Sequence, residues 1–140
     1  SKLDNIVAIK ESTGDFAQLT ELKSKLNNDF LIYSGDDALI LPMMALGAYG
    51  VVSVVSHLVG KEIKEMIEAF VQGDNAKALE LHLKLSSLFK TMFITTNPIP
   101  LKAALALKGH PVGGLRLPLC EASEDELTVI KDILHKYGLL

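Results

Sequence analysis

Three short apolar runs, each followed by a stretch with helical spacing, constrain the fold of this chain more than anything else in it. "IVAI", "FLIYSG" and "GVVSVV" are continuous rather than alternating, which is how parallel strands covered on both faces read. They predict strands at residues 6–10, about 30–34 and 50–55. Between the first two, "DFAQLTELKSKL" carries Phe16, Leu19, Leu22 and Leu26 on one helical face, with Asp15 and Gln18 in capping-box positions. After the second, "DDALILPMMALG" reads as a short helix whose Pro42 lies near its first turn or kinks it. "KEIKEMIEAFVQG" follows the third and is closed by Gly73, which gives the order βαβαβα.

From Asp74 onward the pattern is helical throughout. "NAKALELHLKLSSLFKTMF" and "PIPLKAALALKG" come first, then "EDELTVIKDILHKYG" behind a second capping box made by Ser123 and Glu126. The expected organisation is therefore three βα units over residues 1–73 and a helical subdomain over residues 74–140. With strands advancing in one direction, right-handed crossovers put every helix on one side of the sheet and leave the other side bare. Ile6, Ala8 and Lys10 share one face of the first strand, and Val7 and Ile9 the other. Something outside this chain is expected to cover the bare face.

Composition removes several function classes. Net charge is −3 and no basic stripe interleaves with aromatics, which argues against a nucleic-acid partner. The long apolar stretch "ALILPMMALGAYGVVSVV" is interrupted by Pro42, Gly47 and Gly50 and falls short of the ~20 residues of a membrane helix, so no membrane association is expected. Cys120 is the only cysteine, which excludes an internal disulfide and suits a reducing cytoplasm. The chain opens with Ser1 directly before a core strand, as a piece of a longer protein would.

One residue stands out against this background. Lys10 ends the first apolar run, at the carboxyl end of its strand, where parallel α/β barrels carry their chemistry. An ammonium enclosed there loses hydration, which favours the neutral amine, a nucleophile that forms a Schiff base with a ketone. The structural alternative is a lysine that snorkels from the strand end into solvent, and spacing does not separate the two.

"NIVAIKESTGD", "YSGDD", "GAYGVVSVVSHL" and "NPIPLKAAL" leading to "LRLPL", in this order, closely resemble the carboxyl-terminal half of the dihydrodipicolinate synthase family. The resemblance covers essentially the whole chain. It implies an α/β fold, part of a (β/α)8 TIM barrel with three βα units, followed by a C-terminal helical subdomain. It also implies a class I aldolase-type lyase of lysine biosynthesis. Lys10 matches the lysine that binds pyruvate covalently, and the enamine so formed attacks L-aspartate 4-semialdehyde to give 4-hydroxy-tetrahydrodipicolinate. Val52 matches a position whose backbone carbonyl lines the pyruvate pocket, and Gly35 lies at its mouth. No cofactor is implied, and family members are commonly homotetramers. The family's paired threonines, relay tyrosines and carboxylate-binding arginine correspond to nothing here, and Tyr33, Tyr49 and Tyr137 fall at no relay position. The chain alone is then expected to be a very poor synthase. A sister 2-keto acid aldolase specificity and a non-catalytic, self-associating half-barrel are the alternatives.

Other candidates read as structural. Asp36 and Asp37 are expected to cap the following helix rather than hold a metal. His57, His82, His110 and His135 show no ligand spacing, and only His57 lies near the presumed site. The leucines at 79, 81, 83, 85 and 88 imply a helix buried on several sides or an oligomer contact. No glycine-rich nucleotide motif occurs.

Overall fold

The structure, a computed structural model, describes residues 3–140, so Ser1 and Lys2 lie outside the described residues. Strands β1 (Ala8–Glu11), β2 (Leu31–Ser34) and β3 (Gly50–Val51) form a parallel sheet in that order, with Lys10 opposite Tyr33 and Tyr33 opposite Gly50. Helices α1 (Phe16–Lys25), α2 (Ile40–Ala45) and α3 (Ser56–Val71) follow the strands in turn. A single turn of 3-10 helix at Asp37–Leu39 leads into α2, so Pro42 falls early in that helix, where the ring is tolerated. Helices α4 (Asn75–Thr91), α5 (Ile99–Leu107) and α6 (Glu124–Lys136) complete the chain. The α/β class and the order of βα units are those expected from the sequence.

Local chemistry explains where the helices begin. The Asp15 carboxylate accepts the N–H groups of Ala17 and Gln18 at 2.9 and 3.1 Å, which starts α1. At α6 the reciprocal box forms in full: Ser123 Oγ accepts from Glu126 N at 3.3 Å, and Glu126 Oε2 accepts from Ser123 N at 2.8 Å.

The two faces of the sheet differ as the strand period demands. Ile32, Ser34 and Glu11 are buried on the helix side. Ile32 joins Leu19 of α1, Met43 of α2 and Ala48 in one apolar cluster. A larger cluster unites Ile40 and Met44 of α2, Val59, Ile63 and Met66 of α3, Leu81, Leu85, Leu88 and Phe89 of α4, and Ile130, Ile133 and Leu134 of α6. The leucine-rich helix α4 is thus buried along Leu81, Leu85 and Leu88, while Leu79 and Leu83 face outward. Lys10 and Val52 stand exposed away from these clusters, on the face that no helix covers.

One boundary differs from expectation. The run "GVVSVV" pairs as a strand only at Gly50–Val51, although its residues are all compatible with extension to Val55. The N–H groups of Val54 and Val55 are taken instead by the carboxylate of Asp37, each at 3.1 Å, which turns the chain away from the sheet. Helix α3 consequently starts at Ser56, ahead of the expected "KEIKEMIEAFVQG", and departs from helical geometry at Val59.

Two outcomes test this packing. Leu88 is fully buried, so Leu88→Ala should cost about 2–5 kcal/mol in urea unfolding, whereas Leu83→Ala on the outer face should change stability by under about 0.5 kcal/mol. His82 packs against the Phe89 ring at 6.0 Å, its Nδ1 is buried without a hydrogen-bond partner, and burial holds its pKa below the usual 6.5. The unfolded chain therefore takes up this proton first. Stability should fall as pH drops through 6.5 and level off below the folded value, a step that His82→Gln should lack when urea midpoints are compared across that range.

Candidate active site

The carboxyl ends of the three strands form the candidate site. Lys10 is the third residue of β1, and the parallel register sets it beside Tyr33 of β2 on the uncovered face. The ladder continues past the strand ends, because Gly35 N–H donates to the Glu11 carbonyl at 2.7 Å and Val52 N–H to the Ser34 carbonyl at 2.8 Å. Gly35 and Val52 therefore follow Tyr33 and Gly50 along the same face, one strand period further toward the carboxyl end.

Gly35 is the notch that lets Lys10 lie where it does. A Cβ on Gly35 would stand 2.6 Å from Lys10 Cε and 1.8 Å from Ser12 Oγ, both far inside contact distance. The bare backbone thus accepts the lysine stem, and the residue after Gly35's ladder neighbour, Ser53, is held by the turn described next. Strand position and resemblance pointed to Lys10, and resemblance alone to Gly35 and Val52; in the fold all three occupy the carboxyl end of one sheet face. The enclosure expected around the amine is absent among the described residues. Lys10 is exposed, because a sheet clad on one side only leaves its other side to solvent.

Behind the face, side-chain hydrogen bonds from Glu11 and Ser34 fix the turns. Glu11 is 5% exposed and accepts the Thr13 N–H at 2.7 Å, which shapes the turn after β1. Ser34 Oγ donates to the Asp36 carbonyl at 2.8 Å and accepts the Asp36 N–H at 3.2 Å, which shapes the turn after β2. Asp36 caps the 3-10 turn through Ala38 N–H at 2.8 Å, as expected.

Asp37 corrects the sequence reading, since it caps nothing on its own helix. It is 1% exposed, and its carboxylate accepts the Ser53 hydroxyl on one oxygen and the Val54 and Val55 amides on the other. Burial pushes its carboxyl above the usual range, with a smaller push from Asp36, against the pull of the three donors. Ser53 Oγ in turn accepts the Ser56 N–H at 2.8 Å, and the His57 Nδ1–H donates to the Val54 carbonyl at 2.9 Å, so His57 belongs to the same turn. A partner sixteen residues away leaves no local signal, and a carboxylate next to a helix start is read as a cap by default.

Three parallel βα units with an amine-bearing side chain at the carboxyl end of the first strand, on the unclad face, define a segment of a (β/α)-barrel protein. The chain belongs to the dihydrodipicolinate synthetase family, whose sequence model matches residues 1–137. The 4-hydroxy-tetrahydrodipicolinate synthase of Thermosynechococcus vestitus is 57% identical over 136 residues, which cover 97% of this chain and 46% of that protein. Dihydrodipicolinate synthase from Aquifex aeolicus superimposes with a TM-score of 0.95 at 45% identity, over 99% of this chain and 47% of that one. The chloride-inhibited enzyme from Acinetobacter baumannii, solved in complex with pyruvate, superimposes at 0.90 and 34% identity, over 99% of this chain and 48% of that one. The chain thus spans about half the length of the curated relatives it matches.

The Gly35 notch makes a direct prediction. Gly35→Ala should rotate Ser12 and drive the Lys10 stem off β2 while changing stability by under about 0.5 kcal/mol in urea unfolding, because the atoms that must move are ends of exposed, flexible side chains. A Lys10 stem that stays unmoved in a crystal structure of the variant would contradict it.

Proposed function

We propose that this chain carries the Schiff-base lysine of a pyruvate-dependent lyase, the synthase that makes 4-hydroxy-tetrahydrodipicolinate in lysine biosynthesis. The observation that carries the reading is Lys10 at the carboxyl end of β1, on the unclad face, its stem against the bare backbone of Gly35. In this reading the Lys10 amine attacks the ketone carbon of pyruvate and the ketone oxygen leaves as water. The iminium then draws electrons from the adjacent methyl carbon, which gives up a proton and becomes an enamine. That carbon attacks the aldehyde of L-aspartate 4-semialdehyde, whose oxygen becomes a hydroxyl, and the semialdehyde's own amine then displaces the Lys10 nitrogen from the iminium carbon, which closes the ring and frees Lys10. Val52 offers its carbonyl, and Gly35 its backbone, to the pyruvate site.

Membership of the family and the pyruvate complex of the Acinetobacter baumannii relative support pyruvate as the ketone. Residues outside this chain supply the acid–base groups and the second wall of the barrel, and general acid–base help of that kind contributes typically ~100- to 10,000-fold. The 140 residues alone are therefore proposed to capture pyruvate and to condense it very poorly. The complete protein is read as a cytoplasmic homo-oligomer without a cofactor.

A second reading has one observation in its favour. Ile6, Val7, Ile9 and Val52 are all exposed, and an open sheet with such edges invites association with another copy in place of catalysis.

Borohydride trapping separates the two. The chain treated with pyruvate and borohydride should carry a reduced adduct on Lys10 in preference to its other lysines by peptide mass spectrometry, and Lys10→Ala should lose it. Labelling spread evenly over the surface lysines, or none, would favour the non-catalytic reading.

A further inference from the structure

We propose that Asp37 is a positioning residue for this site: its buried carboxylate clamps the loop after β3 and so fixes where Val52 presents its backbone carbonyl beside Lys10. The proposal rests on the reading of Lys10 and Val52 given above.

The clamp takes three consecutive donors, and they begin at the residue after Val52. Ser53 gives its hydroxyl, and Val54 and Val55 give their amides at 3.1 Å each. On its other side Val52 is tied to β2 through its own N–H, which donates to the Ser34 carbonyl at 2.8 Å. The peptide between Val52 and Ser53 is therefore held at both ends. Its carbonyl belongs to Val52, and its orientation follows from the two anchors. Asp37 and Ser34 lie in the same turn, so one rigid segment after β2 sets both.

A carboxylate is the group that makes every contact here charge-assisted. All the groups facing Asp37 there are donors, and both of its oxygens accept. An asparagine would have to turn its NH2 toward the Ser53 hydroxyl or toward the Val54 and Val55 amides. The Ser53 side is the more tolerant, since a hydroxyl rotates and its oxygen, which already accepts the Ser56 N–H, keeps a second lone pair for an amide donor. Asp37→Asn should thus keep the two amide bonds and replace the charge-assisted Ser53 anchor, the one next to Val52, by a weaker neutral bond in the opposite direction. Asp37→Ala would leave the Val55 amide buried without an acceptor, and Val55 is fully buried.

Stability alone gives a poor account of the residue. A charge 1% exposed is costly to bury, and a neutral group of the same shape often serves a fold as well or better. What the charge adds is a fixed loop at the mouth of the site. The raised carboxyl pKa agrees with a group kept there against its solvation.

Two measurements on the chain test the proposal, and they fail separately from the reading of Lys10. In borohydride trapping, Asp37→Asn should raise the pyruvate concentration for half-maximal labelling by about 10- to 100-fold and leave the limiting labelling rate close to that of the unmodified chain. A defect of folding alone would lower the labelled fraction without moving the half-saturation. Ser53→Ala, which removes the same anchor from the other side, should reproduce the shift. In amide hydrogen exchange, Asp37→Asn should speed exchange at Val52 while the amides of α4 and α6 keep their protection. If the unmodified chain traps no pyruvate, the reading of Lys10 fails and the exchange measurement still decides the clamp. Unchanged half-saturation in a chain that does trap pyruvate, or unchanged exchange at Val52, would overturn the proposal.

Discussion

Everything in this chain follows from a parallel sheet that is covered on one side only. Successive side chains of β1 point to opposite faces, so Glu11 enters the packed side and Lys10, one residue earlier, must enter the open one. A shift of one residue in register would exchange them, setting an ammonium among Leu19, Ile32 and Met43 and a carboxylate on the open face. The apolar demand of the helix side therefore fixes the direction of the lysine more firmly than any contact Lys10 makes for itself. The site is oriented by what lies behind it.

The same one-sidedness explains the helical portion. The βα units have only their helices to pack against, and the larger apolar cluster runs from α2 and α3 directly into α4 and α6. Residues on both sides of position 73 share that core. The helices beyond position 73 thus supply the second layer that the first three helices need, whatever covers the opposite face of the sheet. Phe89, Leu88 and Met66, all fully buried, meet across this boundary and make the two portions depend on each other.

The sequence made the strands and helices legible because each is a local pattern: a continuous apolar run, a helical stripe, a cap three residues before its acceptor. Ser123 with Glu126 is the clearest case, since all its chemistry lies within four residues. Lys10, Gly35 and Val52 were legible through resemblance to a family, and their common face follows from the register. Asp37 was not legible, because its partners are sixteen to eighteen residues away and its neighbour Asp36 does have the local role expected of both. The shortness of β3 was hidden for the same reason. "GVVSVV" has the composition of a strand throughout, and only a distant carboxylate diverts its amides.

These hidden features share one physical origin. A backbone amide at the end of a strand can be satisfied either by a neighbouring strand or by a side chain, and the choice decides whether the sheet continues or stops. Between each pair of strands the ladder runs one step further, Gly35 N–H to the Glu11 carbonyl and Val52 N–H to the Ser34 carbonyl, and beyond Val52 the amides of Val54 and Val55 turn to Asp37 instead. The consequence is an uneven rim. The lysine stem lies across a glycine that has room for it, and the peptide next along the rim is fixed by a turn behind the sheet. A rim of this kind needs both a missing side chain and a buried charge, each of which lowers the stability of an isolated strand end, and both occur at the end of the sheet where Lys10 stands.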